Sequence, residues 1–346
     1  MPSVGLSVFS FPIVLLLTSY AAVPLSGPPL PLDPALSAIA PTECLWYASS
    51  SGIAAPDPQS SNETELLFAE PEFQFFSSEL QKQLIHAIRR SAGSGRDQRG
   101  LASEIPKLIQ AIIARPLAAF VEDFQISDDG IQVQAGLVLN AGSQRAEIEA
   151  AIDKLVDLSL EQGVAIGSVN LDGQTWYMMR VSMQTPEVRW GWHEDYFVLG
   201  IGDGTTDSII KRLRGSAPAW LDDLRRDPPF ERESSLFYLR IEALLDRLQP
   251  MLEKEAGWHV VEKLGLTGIR SLHGMSGFDE AGCASVSRLL TDGSRRGLLS
   301  LLPYKPLSRD ALKLIPEDVM IATAVRVDVA ETWENILRLV EEFDHP

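Results

Sequence analysis

Residues 31–47 read PLDPALSAIAPTECLWY, and residues 306–322, near the other end of the chain, read PLSRDALKLIPEDVMIA. When the two stretches are aligned without a gap, both start with Pro-Leu, and Pro41 of the first falls on Pro316 of the second. In both, an acidic residue stands two positions after this proline and an apolar run follows. A short apolar run bounded by turn residues is typical of a buried strand. We therefore expect each stretch to open a structural unit with a strand in a water-excluded layer.

Between these stretches the sequence predicts strands that meet through tight turns. Three pairs are expected: 117–126 with 131–139, 164–171 with 175–182 around Asp172-Gly173, and 188–192 with 196–201. Such short connections join antiparallel strands, because parallel strands need long crossovers. The clearest helix is predicted at 144–160, where apolar residues recur at helical spacing: Ile148, Ile152, Leu155 and Val156. The fold class predicted is α+β, with antiparallel sheets built from hairpins and packed against interspersed helices.

The C-terminal part continues this pattern. We predict a strand pair at 269–277 and 283–290, and two helices that meet at Pro250. Within the second quoted stretch, a strand at Met320–Val327 and a helix at Glu331–Phe343 follow. We assign 28–310 to one α+β domain with a loop insertion at 48–65. Residues 311–346 either start a second repeat unit or form a strand and helix that complete the domain.

The N-terminus has no charged side chain before Asp33. Residues 4–22 are mostly apolar, and a proline-rich segment follows small residues at Ser19 and Ala21. This pattern is typical of a secretory signal peptide that lacks its basic region. The alternative is an uncleaved anchor in residues 4–22, since a stretch of this length could just span a bilayer. Residues 1–27 are therefore a signal peptide or an N-terminal anchor, and we expect export to the periplasm, the envelope or the extracellular space.

Composition and charge limit the partners. Of 346 residues, 45% are hydrophobic, which allows a substantial core. The chain carries 47 acidic and 30 basic residues, a formal net charge of −17, and no run of Lys or Arg exceeds a pair. Phosphate backbones repel such a surface, so nucleic-acid binding is disfavoured. We expect contact with a membrane only through an uncleaved N-terminal segment.

Two cysteines and one sequon are relevant to an exported protein. Cys44 and Cys283 could form a disulfide in an oxidising compartment. The alternative is that each packs as a small apolar residue in a strand. Asn62-Glu63-Thr64 matches a glycosylation sequon, which has meaning only in a eukaryotic secretory pathway.

The chain resembles a family of exported bacterial proteins, common in planctomycete-type bacteria, that is described as a domain of unknown function. The resemblance runs from about Leu36 to the C-terminus. It rests on the Pro41-Thr42-Glu43 opening, on YFVLGIGDGTTDSIIKRL at Tyr196–Leu213, and on RLLTDGSRRGLLSLLPYKPLSRDALKLIPEDV at Arg288–Val319. In longer members the opening begins a second half, so this chain is short by comparison. The resemblance implies an architecture and an exported location, and no known chemistry.

One segment combines aromatic, imidazole and carboxylate groups: Trp190, Trp192, His193, Glu194 and Asp195. Strand alternation places both tryptophans on one face, where they could stack on a sugar or another ligand. The alternative is the edge of a core with a charged turn above it. The histidines are scattered and no H-E-x-x-H or C-x-x-C motif occurs, so we expect no metal and no cofactor.

Catalytic motifs are incomplete. Ser208–Lys211 matches S-x-x-K without the accompanying motifs, and Gly274–Phe278 lacks the last glycine of a nucleophile elbow. Two hypotheses remain. The first is a non-enzymatic envelope or periplasmic protein that binds an unknown protein or envelope component through its sheet or through the Trp190–Asp195 region. The second is a hydrolase whose site is assembled from scattered carboxylates and histidines.

Overall fold

The computed structural model of the chain describes residues 27–91, 108–109, 113–127, 130–161, 163–171, 173–180, 182, 185–227, 230–254, 257–280, 282–301, 306–313, 315, 326 and 328–344. These residues form two compact units. The first comprises the described residues up to Arg240 together with Leu272–Arg288, and the second comprises Ile241–Ser271 and those described from Leu289 onward. The predicted boundary at residues 310 and 311 stays a prediction, because much of the second quoted stretch lies outside the described residues.

The strands form one antiparallel sheet, so the predicted α+β class is confirmed. In chain order they are β1 (Trp46–Ser50), β2 (Leu117–Ser127), β3 (Gly130–Asn140), β4 (Gly167–Leu171), β5 (Gln174–Met179), β6 (Val188–His193), β7 (Tyr196–Ile201), β8 (Arg232–Leu239), β9 (Ile269–Phe278) and β10 (Cys283–Thr291). Along the sheet the order is β10-β9-β8-β1-β2-β3-β7-β6-β5-β4. The strand of the first quoted stretch therefore lies in the interior of the sheet, paired with β2 and β8.

The predicted hairpins are present, with one difference in length. β4 begins at Gly167 and β5 ends at Met179, so residues 164–166, 180 and 182, which were predicted to extend the two strands, lie outside them. The pairing of β4 with β5 ends at Gly167 and Met178, and the described residues beyond them do not pair across this hairpin. Both strands of this hairpin are therefore shorter than the sequence pattern predicts.

The helices of the first unit are α1 (Pro34–Ala38), α2 (Glu63–Ala69), α3 (Pro71–Ser91), α4 (Arg145–Glu161), α5 (Thr205–Leu213) and α6 (Ala219–Arg226). The helix predicted at 144–160 is confirmed as α4. Between β1 and α2, residues 51–62 contain no helix or regular strand and make one isolated bridge, from Ile53 to Pro29. This connection lies inside the predicted insertion at 48–65.

One face of the sheet carries the larger core. It contains Tyr47, Phe120 and Val198 from the strands, together with Ile209 of α5 and Leu221 of α6. The first quoted stretch supplies further buried members of this cluster: Leu36, Ile39, Ala40 and Cys44. The predicted burial of the first stretch is confirmed, although the strand itself begins only at Trp46.

A second core lies on the opposite face of the sheet, beneath α4. Leu117, Leu139 and Trp192 from the strands pack there with Ile148 of α4 and with Ala141. Since successive residues of a strand point to opposite faces, Val138 belongs to the first core and its neighbour Leu139 to the second. The sheet of the first unit is therefore covered on both faces.

The helices of the second unit are α7 (Ile241–Lys254), α8 (Trp258–Lys263), α9 (Arg309–Leu312) and α10 (Val329–Asp344). Short 3-10 turns occur at Leu266–Gly268 and Gly297–Leu301. Pro250 lies inside α7, so the prediction of two helices that meet there is wrong. Proline removes one backbone hydrogen bond, and the side chains of Gln249 and Glu253 bridge this turn at 2.7 Å.

The helix predicted at 331–343 is confirmed as α10. Asn335 of α10 donates to the carbonyl of Ser300 at 2.9 Å, while one side of the helix is exposed, with Val329, Trp333, Leu337 and Val340. The strand predicted at Met320–Val327 falls almost entirely outside the described residues, as does the N-terminal segment 1–26. Within the part of the chain that is described, no helix has the length and apolarity needed to cross a membrane.

The two quoted stretches share one local feature. Asp33 caps α1 by accepting from the Ala35 N–H at 2.9 Å, and Ser308 caps α9 by accepting from the Ala311 N–H at 3.2 Å. In the gapless alignment these two capping residues occupy the same position. Short polar side chains satisfy the free N–H groups of a helix start. A capped turn therefore follows the Pro-Leu pair in both stretches.

The asparagine of the sequon is buried, and Asn62 and Thr64 have structural roles. Asn62 caps α2 by accepting from the Glu65 N–H at 3.0 Å, and its amide donates to the carbonyls of Asp279 and Gly282 at 2.8 and 3.1 Å. Thr64 accepts from the N–H of Cys283 at 3.0 Å. Because the Asn62 amide is buried and fully engaged, we expect no glycan on it.

Both cysteines are free thiols in the structure. Cys44 is buried and its thiol lies 3.0 Å from the carbonyl of Trp46. Burial raises the pKa of this thiol to about 12. Cys283 is partly exposed at the start of β10. Of the two alternatives, a Cys44–Cys283 disulfide or two free cysteines, the structure therefore has the free cysteines.

Candidate functional site

The register of β3, β7 and β6 separates the two tryptophans of the predicted site. In one cross-strand row, Trp192 pairs with Phe197, which pairs with Leu139. In the next row, Trp190 pairs with Leu199, which pairs with Leu137. Both rows lie on the face covered by α4. The prediction that both tryptophans share one face is correct, but the rows have different surroundings.

Trp192 belongs to the core. It is 6% exposed and packs edge-on against Phe197, with ring centroids 5.6 Å apart. The guanidinium of Arg145, the first residue of α4, lies 5.1 Å from the ring centroid of Trp192. Trp192 therefore anchors the start of α4 on the sheet.

The charged part of the predicted site forms the turn between β6 and β7. Glu194 has a positive φ of 53°, and its carbonyl accepts a hydrogen bond from Arg145. The carboxylate of Asp195 is 66% exposed and lies 3.9 Å from the same guanidinium. His193 lies on the sheet face opposite the tryptophans. The structure thus ties this turn to α4 and does not bring its polar groups together with Trp190.

Trp190 lines a cavity between α4 and the sheet. The cavity measures about 350 Å³. Its lining is apolar except for one serine: Leu108, Leu137, Leu139, Ile148, Ile152, Leu155, Val156, Ser159, Val164, Ile166, Met179, Val188, Trp190, Phe197 and Leu199. The hydroxyl of Ser159 donates to the carbonyl of Leu155 at 2.7 Å, so it is already satisfied within the helix. The described lining is therefore almost entirely apolar and suits apolar groups.

The roof of the cavity is one face of α4. Ile148, Ile152, Leu155 and Ser159 follow one another at intervals of three or four residues, which places them on the same side of a helix. At the edge of the cavity, Tyr177 stacks on Trp190 with ring centroids 5.7 Å apart. Its hydroxyl lies 3.3 Å from the carboxylate of Asp153 on α4. Burial raises the pKa of Tyr177, and the nearby Asp153 raises it further.

A smaller space with charged walls adjoins the cavity. It measures about 290 Å³ and shares Ile166 and Met179 with the cavity. Arg180 and Glu187 also line it. Arg180 contacts Asp203 at 2.5 Å and Glu187 at 3.6 Å, and Glu187 in turn contacts Arg189 at 2.9 Å. The apolar cavity thus has a polar neighbour on the side where β4 begins and β5 ends.

Several buried or partly buried charged groups have structural roles. Arg225 of α6 forms two hydrogen bonds with the carboxylate of Glu233 on β8, at 2.7 and 2.9 Å, and a third with the hydroxyl of Ser37 at 2.8 Å. Asp33 accepts from Asn140 at 2.6 Å and from Tyr196 at 3.2 Å. Burial and the nearby Asp33 raise the pKa of Tyr196 to about 12. These contacts join helices to strands.

No catalytic arrangement forms around the incomplete nucleophile elbow. Ser276 is fully buried and hydrogen-bonded to Ser235 at 2.7 Å. His273 lies three positions away on the same strand and therefore on the opposite face. Burial lowers the pKa of His273, and the charge of Arg288 lowers it further. Among the described residues, no group of three or more His, Cys, Asp or Glu is arranged to hold a metal ion.

Comparison of the chain with protein-family models, with curated proteins and with solved structures gives no match.

The cavity was not predicted from the sequence, although the sequence contained the patterns of the elements that form it. The apolar face of α4 was predicted residue by residue, and the alternation in 188–192 placed Trp190 correctly. The separation between helix and sheet is a tertiary property that neither local pattern contains.

Proposed function

We propose that the protein is an exported, non-enzymatic binding protein that holds the apolar part of a small ligand in the cavity beneath α4. The observation that carries the proposal is the lining of the cavity, in which every described side chain but Ser159 is predominantly apolar. Its volume of about 350 Å³ lies within the roughly 300–1,000 Å³ that is usual for small-molecule sites. The N-terminal composition supports the exported location.

An alkyl chain is the ligand chemistry that suits this lining. Apolar cavities without polar partners do not hold ordered water, and they bind apolar molecules instead. Each buried methylene contributes about 0.8 kcal/mol, which corresponds to about a fourfold gain in affinity. The other form of the binding hypothesis, in which a partner protein lies flat against the sheet, has less support. On the face that carries Trp190 and Trp192, α4 lies over the strands.

The hydrolase hypothesis also has less support. Acid–base catalysis needs titratable groups within reach of the bound substrate, and the described residues that line the cavity include no acidic or basic side chain. His193 and His273 do not converge, since His193 lies at the end of β6 and His273 is buried elsewhere in the sheet. Binding without chemistry is therefore the function that the geometry favours.

The test is a fluorescence titration of the full chain with N-phenyl-1-naphthylamine, a neutral probe that becomes bright in apolar sites. The probe should bind, and linear alcohols should displace it with an affinity that rises about fourfold per added methylene until the cavity is full. An affinity that does not depend on chain length would contradict the proposal.

A matched pair of substitutions locates the site. Leu155 lines the cavity, whereas Leu160 on the same helix is 47% exposed. Leu155→Trp should fill the cavity and weaken probe binding by about tenfold or more, because the bulky ring occupies the ligand's volume. Leu160→Trp makes the same chemical change on the solvent side and should leave binding unchanged. Unaltered binding in Leu155→Trp, with a native thermal midpoint, would exclude this cavity as the site.

A further inference from the structure

We infer that the ligand of the cavity is an anionic amphiphile whose charged head binds Arg180. This inference rests on the proposed function and adds the chemical class of the head group. It starts from the smaller space of about 290 Å³ that shares Ile166 and Met179 with the cavity. A ligand whose alkyl chain fills the cavity has its other end in this neighbouring space.

Arg180 is the cation among the residues that line the smaller space. Its side chain is 36% exposed, and both of its ion pairs with described residues, to Asp203 and Glu187, use Nη2. A guanidinium carries five N–H donors in a planar fork that matches a carboxylate. With respect to the described residues, Nη1 and Nε are therefore available to a head group.

The two acidic partners of Arg180 differ in how firmly they are held. The carboxylate of Asp203 is 79% exposed, so water solvates it once it leaves Arg180, and an exposed ion pair contributes little to stability. Glu187 is only 19% exposed and has a second, closer partner in Arg189 at 2.9 Å. An incoming carboxylate on Nη1 and Nε therefore competes with Asp203 for the charge of Arg180 and leaves Glu187 in place.

This competition favours an anion over a cation. A carboxylate head gains a charge-assisted contact with Arg180, while water solvates the exposed carboxylate of Asp203. A cationic head would meet the guanidinium of Arg180 at the entrance, and Glu187, the acid that lines the space, is already paired with Arg189. The net charge of −17 acts against any anion at long range, but salt screens exposed charges beyond about 8–10 Å.

The experiment compares three ligands with the same chain length on the full-length protein: decanoate, decanol and decyltrimethylammonium, each in competition with N-phenyl-1-naphthylamine. Decanoate should bind more tightly than the cation. Arg180→Gln should weaken decanoate binding by about tenfold or more, the loss expected when a hydrogen bond to a charged group is removed. Asp203→Asn should strengthen decanoate binding several-fold, because it removes the competing carboxylate.

Decanol is the control in every variant, since its affinity reports the cavity without the head-group charge. Its binding should be the same in the wild type, in Arg180→Gln and in Asp203→Asn. If the dye and decanol bind but decanoate has the same affinity in Arg180→Gln as in the wild type, the head-group assignment is wrong and the proposed function stands. A preference for decyltrimethylammonium overturns the assignment in the same way. If neither the dye nor decanol binds the wild type, the proposed function fails and this inference fails with it.

Discussion

Replacing each tryptophan of β6 by alanine should have two different effects, although they lie two residues apart on one face. Trp192 is 6% exposed, and truncation of a fully packed tryptophan costs about 3–5 kcal/mol. Its edge-on contact with Phe197 and its contact with Arg145, at 5.6 and 5.1 Å, place the loss in the upper half of that range. We therefore expect Trp192→Ala to lower the free energy of unfolding by about 4–5 kcal/mol.

This loss corresponds to a large shift in thermal midpoint. For domains of about 150–250 residues, 1 kcal/mol shifts the midpoint by about 2–4 °C, so Trp192→Ala should lower it by roughly 8–20 °C. Trp190 is half-buried and loses mainly its stacking on Tyr177, worth about 0.5–1.5 kcal/mol, together with part of its burial. Trp190→Ala should therefore cost about 1–2 kcal/mol in stability and should weaken binding of N-phenyl-1-naphthylamine about tenfold, since it removes a wall of the cavity.

Thermal unfolding followed by circular dichroism and titration with the dye measure the two effects. Trp192→Phe is the control, because it keeps an aromatic ring against Phe197 and should recover more than half of the lost stability. The reasoning is refuted if Trp192→Ala shifts the midpoint by less than about 2 °C, or if Trp190→Ala is the more destabilising of the two. Either result would mean that Trp192 is not the packed member of the pair.

Three further predictions concern charges and thiols. Arg225→Ala should lower the free energy of unfolding, measured in urea, by about 3–5 kcal/mol, because it leaves the carboxylate of Glu233 buried without a counter-charge. The double variant Arg225→Met/Glu233→Leu should lose distinctly less free energy of unfolding, and an equal loss in the two variants would contradict this explanation. The hydrogen bond from an arginine of β8 holds the pKa of the Glu65 carboxyl below its ordinary value. The ionised carboxylate therefore stabilises the protein at a pH above the ordinary pKa of about 4.3, and this contribution to the free energy of unfolding disappears as the pH falls. The difference in unfolding free energy between the wild type and Glu65→Gln should therefore narrow from about pH 5 to pH 3, and a constant difference would argue against the ion pair. Cys44, buried with a pKa raised to about 12, should react with a thiol reagent much more slowly than Cys283 in the native protein. After unfolding without reductant both thiols should react, and an unfolded chain in which neither thiol reacts would contain the disulfide.

Much of the fold follows from short patterns in the sequence. Gly173 lies in the turn between β4 and β5, where the sequence predicted a turn, and the periodicity of residues 144–160 corresponds to α4. Both signals depend on neighbouring residues only, because turn geometry and helical spacing are local properties. The exceptions are also informative: Val164 and Ile166 match a strand pattern, but they leave the sheet and line the cavity. Their apolar character indicates that they are buried, but it does not indicate whether they lie in a strand.

The composite site predicted at Trp190–Asp195 shows the same limit. Alternation correctly placed both tryptophans on one face, but it could not separate the packed residue from the one that lines the cavity. That separation depends on which residues of β7 and β3 stand opposite each tryptophan. The polar residues of the turn were grouped with the tryptophans because they are adjacent in the chain, and the structure attaches Glu194 and Asp195 to Arg145 instead.

The sequence by itself determined the acidic character of the chain, its hairpins, the amphipathic face of α4 and the burial of the stretch around Pro41, because each depends on composition or on residues close together in the chain. Only the tertiary structure decided that these elements join one sheet, that Trp192 is core and Trp190 is not, and that a space remains between α4 and the strands. These outcomes are set by strand register and by the distance between packed layers. Both arise from contacts between residues far apart in sequence, which no local pattern encodes.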